Sequence, residues 1–259
     1  MKTISWRLVN FEGTNPYYNI ALEEAIAKIV GKGEASNTVR FWRNERAVVL
    51  GRFQSVEVEV DLNACIKHNV AIVRRFTGGG AVYHDLGNLN YSIIVNKGNI
   101  SLGNIQKFFR KGCLSVIEAL KILGLNPSFK EPSSILINEK KVSGAAGALR
   151  WNAIVYHSCI LISANLSVLK EVLNCFKPEY NPSEKWVSNK KFDVNNLKNF
   201  MNKELSLEDV KEALKKGFEK VYEGKLYEDT LSLKELKLAE KLYKSKYCTH
   251  EWIYNGVEL

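Results

Sequence analysis

Arg74-Arg75-Phe76-Thr77-Gly78-Gly79-Gly80-Ala81-Val82-Tyr83-His84-Asp85-Leu86-Gly87-Asn88 is the stretch of sequence that says most about this chain. It follows Val70-Ala71-Ile72-Val73, a short run rich in β-branched residues, which predicts a buried strand that ends at the two arginines. Consecutive glycines can adopt positive φ and bring backbone N–H groups against a ligand. Such N–H groups bind anions, and a neighbouring arginine adds charge-assisted contacts. The stretch therefore predicts a loop that binds a nucleotide or an acyl phosphate.

This glycine loop matches neither the dinucleotide GxGxxG pattern nor the Walker GxxxxGK[ST] pattern. Taken whole, it resembles the RR-x-[ST]-GGGAV-[FY]-HD-x-GN signature of lipoate protein ligases. Other segments resemble the same family in the same order, from about Asn15 to about Leu197. They are Asn15–Glu24 (an opening helix), Phe41–Asn44 and Val48–Gln54 (a first strand pair), Lys140–Gly147 (the KVSG segment that carries a catalytic lysine) and Tyr156–Ser158 (a histidine strand).

The resemblance is to the lipoate protein ligase A family of the biotin/lipoate protein ligase superfamily. It implies an α+β fold, a mixed β-sheet flanked by helices, as in class II synthetase-like catalytic domains. It also implies an adenylate-forming ligase. Such an enzyme joins lipoate to the α-phosphate of ATP and then passes the lipoyl group to a lysine of an acceptor domain. A biotin ligase or a non-catalytic lipoyl-binding module are less favoured alternatives, since the GRGRxG loop of biotin ligases is absent.

Carried over residue by residue, the resemblance implies Lys141 as the catalytic cation, followed closely by Gly144, which would let the nucleotide approach the backbone. His84 and His157 would line the lipoate pocket together with Lys141, and His84 would shape the site instead of acting as a base with Asp85. The residues expected to bind ATP or lipoyl-AMP are Arg75, Thr77, Gly78, Gly79, Gly80, Ala81, Val82, Tyr83, Asn88, Lys141 and Ala145.

Two glutamates on the opening helix, Glu23 and Glu24, are one residue apart and so do not face each other. We expect them on an exposed helix edge.

Two features leave alternatives open. The family usually has an aspartate before the catalytic lysine that helps to hold ATP and magnesium, whereas this chain has Ser133 and Ser134. Magnesium is therefore expected only through ATP chemistry in general, and its ligands are unknown.

The superfamily also contains octanoyl or lipoyl transferases that work from an acyl carrier protein through a cysteine thioester. Cys159 lies two residues past His157 on the same strand face, so this alternative remains, although a thiol in an apolar strand is normally inert.

Composition indicates the cellular setting. The 259 residues contain five dispersed cysteines, which suggests a reducing compartment, and no signal peptide or run of membrane-helix length, so we expect a cytoplasmic protein without membrane contact. The net charge is +9, without a nucleic-acid-binding motif. We favour electrostatic steering of acidic lipoyl-acceptor domains, as in 2-oxoacid dehydrogenase E2 subunits or the glycine cleavage H protein, over plain solubility, and expect no nucleic acid partner.

The pattern along the chain predicts helices over residues 16–30 and 104–123, with Asn15 as an N-cap. Residues 1–205 are expected to form the catalytic domain, and residues 206–259 a helical extension packed on it, with caps at Ser206 and Ser232. Because the extension is not a complete accessory domain, a separate accessory protein is expected.

Residues 185–191 lie where the family has a mobile adenylate-binding loop. Strands are predicted at residues 38–42, 47–52, 70–75, 80–84, 90–95, 134–142 and 154–163.

Overall fold

The computed structural model describes residues 4–99, 104–181, 189 and 192–256. Within them the strands are β1 (Ile4–Asn10), β2 (Thr38–Trp42), β3 (Ala47–Leu50), β4 (Ala71–Arg74), β5 (Val82–His84), β6 (Asn88–Asn96), β7 (Ser128–Lys130), β8 (Ser134–Ile137), β9 (Lys140–Arg150), β10 (Ala153–Leu161) and β11 (Gly224–Asp229). Eight of them form one mixed sheet in the order β11-β1-β2-β6-β10-β9-β8-β7, and the other three form a small sheet in the order β4-β3-β5. The predicted fold class, a mixed sheet flanked by helices, is confirmed.

The helices of the described residues are α1 (Pro16–Gly31), α2 (Val56–Glu59), α3 (Leu62–Lys67), α4 (Ile105–Ile122), α5 (Leu166–Val172), α6 (Leu207–Tyr222) and α7 (Leu233–Leu242). Helix α1 begins as predicted, because the Asn15 side chain accepts a hydrogen bond from the Tyr18 N–H and proline occupies the first turn. Both predicted C-terminal caps are present as capping boxes, Ser206 with Asp209 and Ser232 with Glu235. None of these helices is long and apolar enough to cross a membrane.

Alternating side chains on the central strands divide the core between the two faces of the large sheet. On one face, Tyr91 and Ile93 of β6 pack with Tyr156 of β10 under helices α4 and α6. On the other face, Ile94 and Val155 pack against helix α1, which in turn packs against α7. The small sheet forms a third cluster with α5.

The structure differs from the predicted elements at the 134–142 run and at one end of the large sheet. The run 134–142 is a hairpin of β8 and β9, because Asn138 and Glu139 adopt positive φ between them. Strands β1 and β11 were not predicted. They pair in parallel, so residues 206–256 are not a purely helical extension and supply an edge strand of the main sheet. The boundary at residue 205 remains a prediction.

Candidate active site

A cavity of about 600 Å³ lies between the two sheets. Its wall on the small-sheet side comes from the glycine loop and β5, and its wall on the large-sheet side comes from β6, β9 and β10. Of the residues predicted to bind ligand, those that line the cavity are Arg75, Gly79, Gly80, Ala81, Val82, Tyr83, His84, Lys141, Ala145 and His157. Thr77, Gly78 and Asn88 are not among its lining residues. The fold thus brings together residues that are far apart in the sequence.

The glycine loop uses its glycines for different reasons. Of the three glycines, only Gly79 uses the conformational freedom that glycine offers, with a positive φ of +88°. A Cβ on Gly80 would lie 2.1 Å from the side-chain oxygen of Asn189, so the end of that side chain would have to move. A Cβ on Gly78 would meet only the Phe53 ring, at 3.8 Å. Gly79 is therefore needed for the backbone conformation, and Gly80 allows Asn189 to approach closely.

Arg75 holds the glycine loop in shape. Its buried guanidinium donates to the carbonyls of Val49 (2.9 Å), Gly78 (2.7 Å) and Gly80 (2.9 Å), and to the Thr77 hydroxyl. Burial lowers its pKa to about 10. These partners are carbonyl and hydroxyl oxygens of the protein itself, so the main role of Arg75 in this structure is to order the loop.

Arg74 points away from the cavity and anchors the C-terminal segment. Its guanidinium donates to the carbonyls of Gly51 and Gln54 on one side and of Trp252, Ile253 and Tyr254 on the other. The two adjacent arginines therefore both satisfy buried backbone carbonyls.

A buried chain of hydrogen bonds connects helix α1 to the glycine loop. The Glu23 carboxylate accepts from His157 Nδ1 (2.9 Å) and from the Ser92 hydroxyl (2.5 Å). On the other side of the ring, His157 Nε2 lies 2.9 Å from Thr77 Oγ1, which accepts from Arg75 Nε. An ionised carboxylate only accepts, so His157 carries a proton on Nδ1. Burial alone would raise the pKa of Glu23, but His157 and Ser92 outweigh it and the pKa lies below its ordinary value.

The prediction that Glu23 and Glu24 lie on an exposed helix edge is wrong, since both side chains are buried. Glu24 pairs with Lys28 and with Lys246 (both 2.7 Å). The sequence held a signal for this, because apolar residues flank the pair on both sides, at 20–22 and at 25–27. A carboxylate on such a helix must find a partner.

Lys141 projects from β9 into the cavity. Its Nζ lies 4.3 Å from the centre of the Phe192 ring, and burial lowers its pKa. Within the part of the chain that the structure describes, Lys141 forms no ion pair with a carboxylate. A Cβ on Gly144 would lie 2.8 Å from Lys141 Cε and 3.0 Å from Nζ. Gly144 therefore leaves room for the lysine side chain, and the expectation that it also lets the nucleotide approach the backbone stays a prediction.

His84 lines the opposite side of the cavity and is neutral, because burial and the nearby Arg75 guanidinium lower its pKa to about 3. Its Nδ1 contacts Asn44 Nδ2 at 3.1 Å. The Asp85 carboxylate instead accepts from the backbone N–H groups of Gly87 and Asn165. His84 and Asp85 thus form no acid–base pair, which agrees with the expectation that His84 shapes the site.

Asn88 and Cys159 form a contact beside the cavity. The Asn88 amide donates to Cys159 Sγ (3.1 Å), and its oxygen accepts from the Asp85 N–H (2.9 Å). These contacts give Asn88 a structural role in holding the turn after His84. Burial raises the pKa of Cys159 to about 12, so its thiol is protonated at neutral pH.

One row of residues crosses the floor of the cavity. Gly144 is the cross-strand partner of Cys159, Cys159 of Asn90, and Asn90 of Trp42. Directly opposed residues share a face of the sheet, so this row runs from the Lys141 end of the cavity to the Trp42 end. Strands lie about 4.8 Å apart, so Asn90 lies roughly 10 Å from Gly144.

The lipoyl protein ligase A/B catalytic domain family matches residues 15–219, and the chain belongs to this family of enzymes. Its relatives include lipoate-protein ligase A subunit 1 from Thermoplasma acidophilum, 35% identical over 92% of each chain. The octanoyltransferase of Brevibacillus brevis is 29% identical over 95% of this chain and 98% of its own. The resemblance to lipoate protein ligases expected from the sequence is thus confirmed.

Solved structures agree with this assignment. The bi-partite lipoate protein ligase of T. acidophilum, solved with its E2 lipoyl domain as an archaeal lipoylation system, superposes with a TM-score of 0.85 at 33% identity over 99% of this chain and 98% of that chain. A T. acidophilum protein described as a putative lipoate protein ligase with bound lipoic acid gives 0.84 at 33% identity, covering 97% and 99%. A lipoate-protein ligase A bound with ATP gives 0.82 at 33% identity, covering 98% and 100%.

Proposed function

We propose that this chain is the catalytic subunit of an ATP-dependent lipoate–protein ligase. The lipoate carboxylate would attack the α-phosphate of ATP to give lipoyl-AMP and pyrophosphate. A lysine amine of an acceptor domain would then displace AMP and form an amide. The observation that carries the proposal is the position of Lys141, whose ammonium faces a cavity bounded by the glycine loop and is left without a carboxylate partner among the described residues.

Lys141 would act as a fixed cation beside the reacting carboxylate and α-phosphate. Both steps of the reaction place negative charge on phosphoryl oxygens, and a preorganised cation stabilises that charge without reorganising as it forms. Burial strengthens the interaction because little water screens it. The Phe192 ring packs against the Lys141 ammonium, and the missing Cβ of Gly144 leaves room for the lysine side chain.

The glycine loop would bind the adenylate through its backbone, from Gly78 to Tyr83. Arg75 and Thr77 would contribute by fixing the loop, since their polar atoms are already engaged. Ala145 would leave room for the nucleotide on the facing strand, and His157 would form part of the acyl pocket wall.

Magnesium would arrive with the triphosphate. The described residues contain no cluster of three histidine, cysteine, aspartate or glutamate side chains that could hold a metal ion. Ser133 and Ser134 line the cavity where the family usually has an aspartate, and Glu131 is the one carboxylate among the described lining residues. This set fits a metal held mainly by phosphate oxygens, and Glu131 would be its carboxylate ligand from the protein.

The acceptor would be a lipoyl domain of a 2-oxoacid dehydrogenase E2 subunit or the glycine cleavage H protein. A separate accessory protein would complete the ligase, as the name of the bi-partite T. acidophilum system suggests. The net charge of +9 would favour an acidic acceptor.

The cytoplasm is the proposed location, in keeping with five cysteines that form no disulfide. The predicted loop at residues 185–191 lies outside the described residues except for Asn189, which donates to the Ala81 carbonyl.

The test is lipoate-dependent AMP formation and acceptor lipoylation with ATP, with and without a candidate accessory protein. Lys141→Ala is expected to lose about 100-fold to 1000-fold in rate. Lys140→Ala is the matched control, because Lys140 is exposed and pairs with Asp193 at the surface. Equal activity of Lys141→Ala and wild type would contradict the proposal.

The second candidate is acyl transfer from an acyl carrier protein through Cys159. It is kept because Cys159 lines the same cavity as Lys141. The raised pKa of the thiol argues against it, since the thiolate is the nucleophile. ATP-independent transfer of an octanoyl group that is lost in Cys159→Ala would favour the transferase.

A further inference from the structure

Two side chains at the Trp42 end of the cavity hold N–H groups for which the described residues provide no partner. They are His84 at Nε2 and Asn90 at Nδ2. Both side chains are buried, with exposures of 4% and 1%, and both line the cavity. Buried polar groups are nearly always hydrogen-bonded, so a pair of unsatisfied groups in one cavity indicates a ligand that supplies acceptors.

The protonation of His84 follows from a chain of side chains behind it. Arg40 is donor-only, so the Asn19 oxygen must face it. The Asn19 amide nitrogen then faces the Asn44 oxygen, and the Asn44 nitrogen faces His84 Nδ1. His84 Nδ1 is therefore an acceptor, and the proton of this neutral ring is on Nε2, the atom without a partner.

His84 and Asn90 lie at the same end of the cavity. The Trp42 ring packs edge-on against the His84 ring, with centroids 6.1 Å apart, and Trp42 is the cross-strand partner of Asn90. The indole N–H of Trp42 donates to the Ser92 hydroxyl, and an N–H group cannot accept from His84 or Asn90. The two donors therefore frame one position beside the Trp42 ring.

The length of the substrate places its ring at this position. An extended chain advances about 1.2 Å per bond, so the sulfur-bearing carbons of lipoate lie about 6 to 8 Å from the carboxyl carbon. Allowing about 3 Å for a contact from the carboxylate to Lys141, the dithiolane ring arrives roughly 10 Å from the lysine end. That is the distance from Gly144 to Asn90 along the row of cross-strand partners.

We propose that His84 Nε2–H and Asn90 Nδ2–H donate to the sulfur atoms of the dithiolane ring and so select lipoate over acids of the same length that lack sulfur. This inference rests on the proposed ligase function and specifies its substrate. Sulfur is a weak acceptor, but a methylene tail is none. Octanoate would expel water from the end of the cavity and leave both donors unpaired, whereas lipoate satisfies them.

The first test compares three acids on the wild-type protein: lipoate, octanoate and 5-cyclopentylpentanoate, which keeps the five-membered ring but has no sulfur. Binding is measured by calorimetry, and adenylate formation by AMP release. We expect lipoate to bind about tenfold more tightly than the cyclopentyl acid. The two acids make similar apolar contacts, but only lipoate supplies acceptors for the two buried N–H groups. Equal affinity for these two acids would overturn the inference.

The second test uses variants. Asn90→Leu and His84→Phe keep much of the shape and remove the donor, so the preference for lipoate over the cyclopentyl acid should fall towards one. Val49→Ala changes an apolar part of the cavity wall and is the matched control. It should weaken the binding of lipoate and of the cyclopentyl acid equally. Retention of the full preference in both donor variants would contradict the inference. If none of the acids supports ATP-dependent adenylate formation with the accessory protein present, the proposed function fails instead.

Discussion

The Lys141 side chain folds over Gly144 so closely that the site of a Cβ at residue 144 lies 3.0 Å from Lys141 Nζ. The lysine backbone is also fixed, since its N–H donates to the Asp193 carbonyl and its carbonyl accepts from Asn195. The conformation of Lys141 thus depends on the lack of a side chain at Gly144 as well as on the backbone contacts of the lysine.

Gly144→Ala should therefore lower activity without lowering stability. The new methyl group would displace the end of a flexible side chain, which costs little, but it would move the ammonium away from the reacting groups. We expect adenylate formation to fall at least about tenfold, equivalent to roughly 1.4 kcal/mol of transition-state stabilisation, with an unchanged melting temperature. Wild-type activity of Gly144→Ala would show that the lysine position is not critical.

Gly79→Ala and Gly78→Ala form a matched pair for the glycine loop. Only Gly79 has positive φ, whereas a Cβ on Gly78 meets ordinary contact distances. Gly79→Ala should lose about 1 to 2 kcal/mol of unfolding free energy relative to Gly78→Ala. Urea denaturation of both variants measures the difference, and equal stability would mean that the loop relaxes around the alanine.

Glu23→Gln tests the buried chain from helix α1 to the glycine loop. Replacing the carboxylate weakens its hydrogen bonds to His157 and Ser92, and we expect a loss of about 1.5 to 3 kcal/mol of unfolding free energy at pH 7. Glu45→Gln is a suitable control, since its carboxylate accepts from Thr14 in an exposed bond.

The effect of Glu23→Gln should depend on pH. The pKa of Glu23 is lower in the folded protein than its unfolded value of 4.5, so its carboxylate stabilises the fold fully above pH 4.5. That stabilisation is lost as pH falls through the folded pKa. The difference between wild type and Glu23→Gln should therefore shrink below pH 4.5, and a constant difference would mean that ionisation of Glu23 is unimportant.

Arg74→Lys should destabilise the protein by about 3 kcal/mol or more. A lysine has three donors in place of the planar fork and would leave several of the carbonyls at Gly51, Gln54 and residues 252–254 unsatisfied. Arg43→Lys is the control, because Arg43 makes one exposed bond to the Leu86 carbonyl. Limited proteolysis should also release the C-terminal segment faster in Arg74→Lys.

Cys159 should react slowly with iodoacetamide. With a pKa of about 12, roughly one thiol in ten thousand is ionised at pH 8, and labelling should rise about tenfold per pH unit. The exposed Cys248 serves as the internal reference in mass spectrometry. Preferential labelling of Cys159 at pH 8 would indicate an activated nucleophile and favour the transferase.

Much of the site could be predicted because its key residues are contiguous in the sequence. The glycine loop and the KVSG segment each lie within one short stretch, and their resemblance to the motifs of lipoate protein ligases identified them. The roles of Arg75 and Glu23 could not be predicted in this way. Both depend on partners contributed by other strands, Val49 for Arg75 and His157 for Glu23, and only packing shows whether a charged group is available to a ligand.

The sequence by itself determined the family, the fold class, the start of helix α1, both capping boxes and the identity of the proposed catalytic lysine. These follow from local patterns, since caps, strand runs and glycine motifs act over a few residues. Only the tertiary structure decided that β11 completes the sheet beside β1 and that Gly144 serves the lysine. It also showed that His84 and Asn90 share one end of a cavity. Those relationships arise from strand register and side-chain direction, which join residues far apart along the chain.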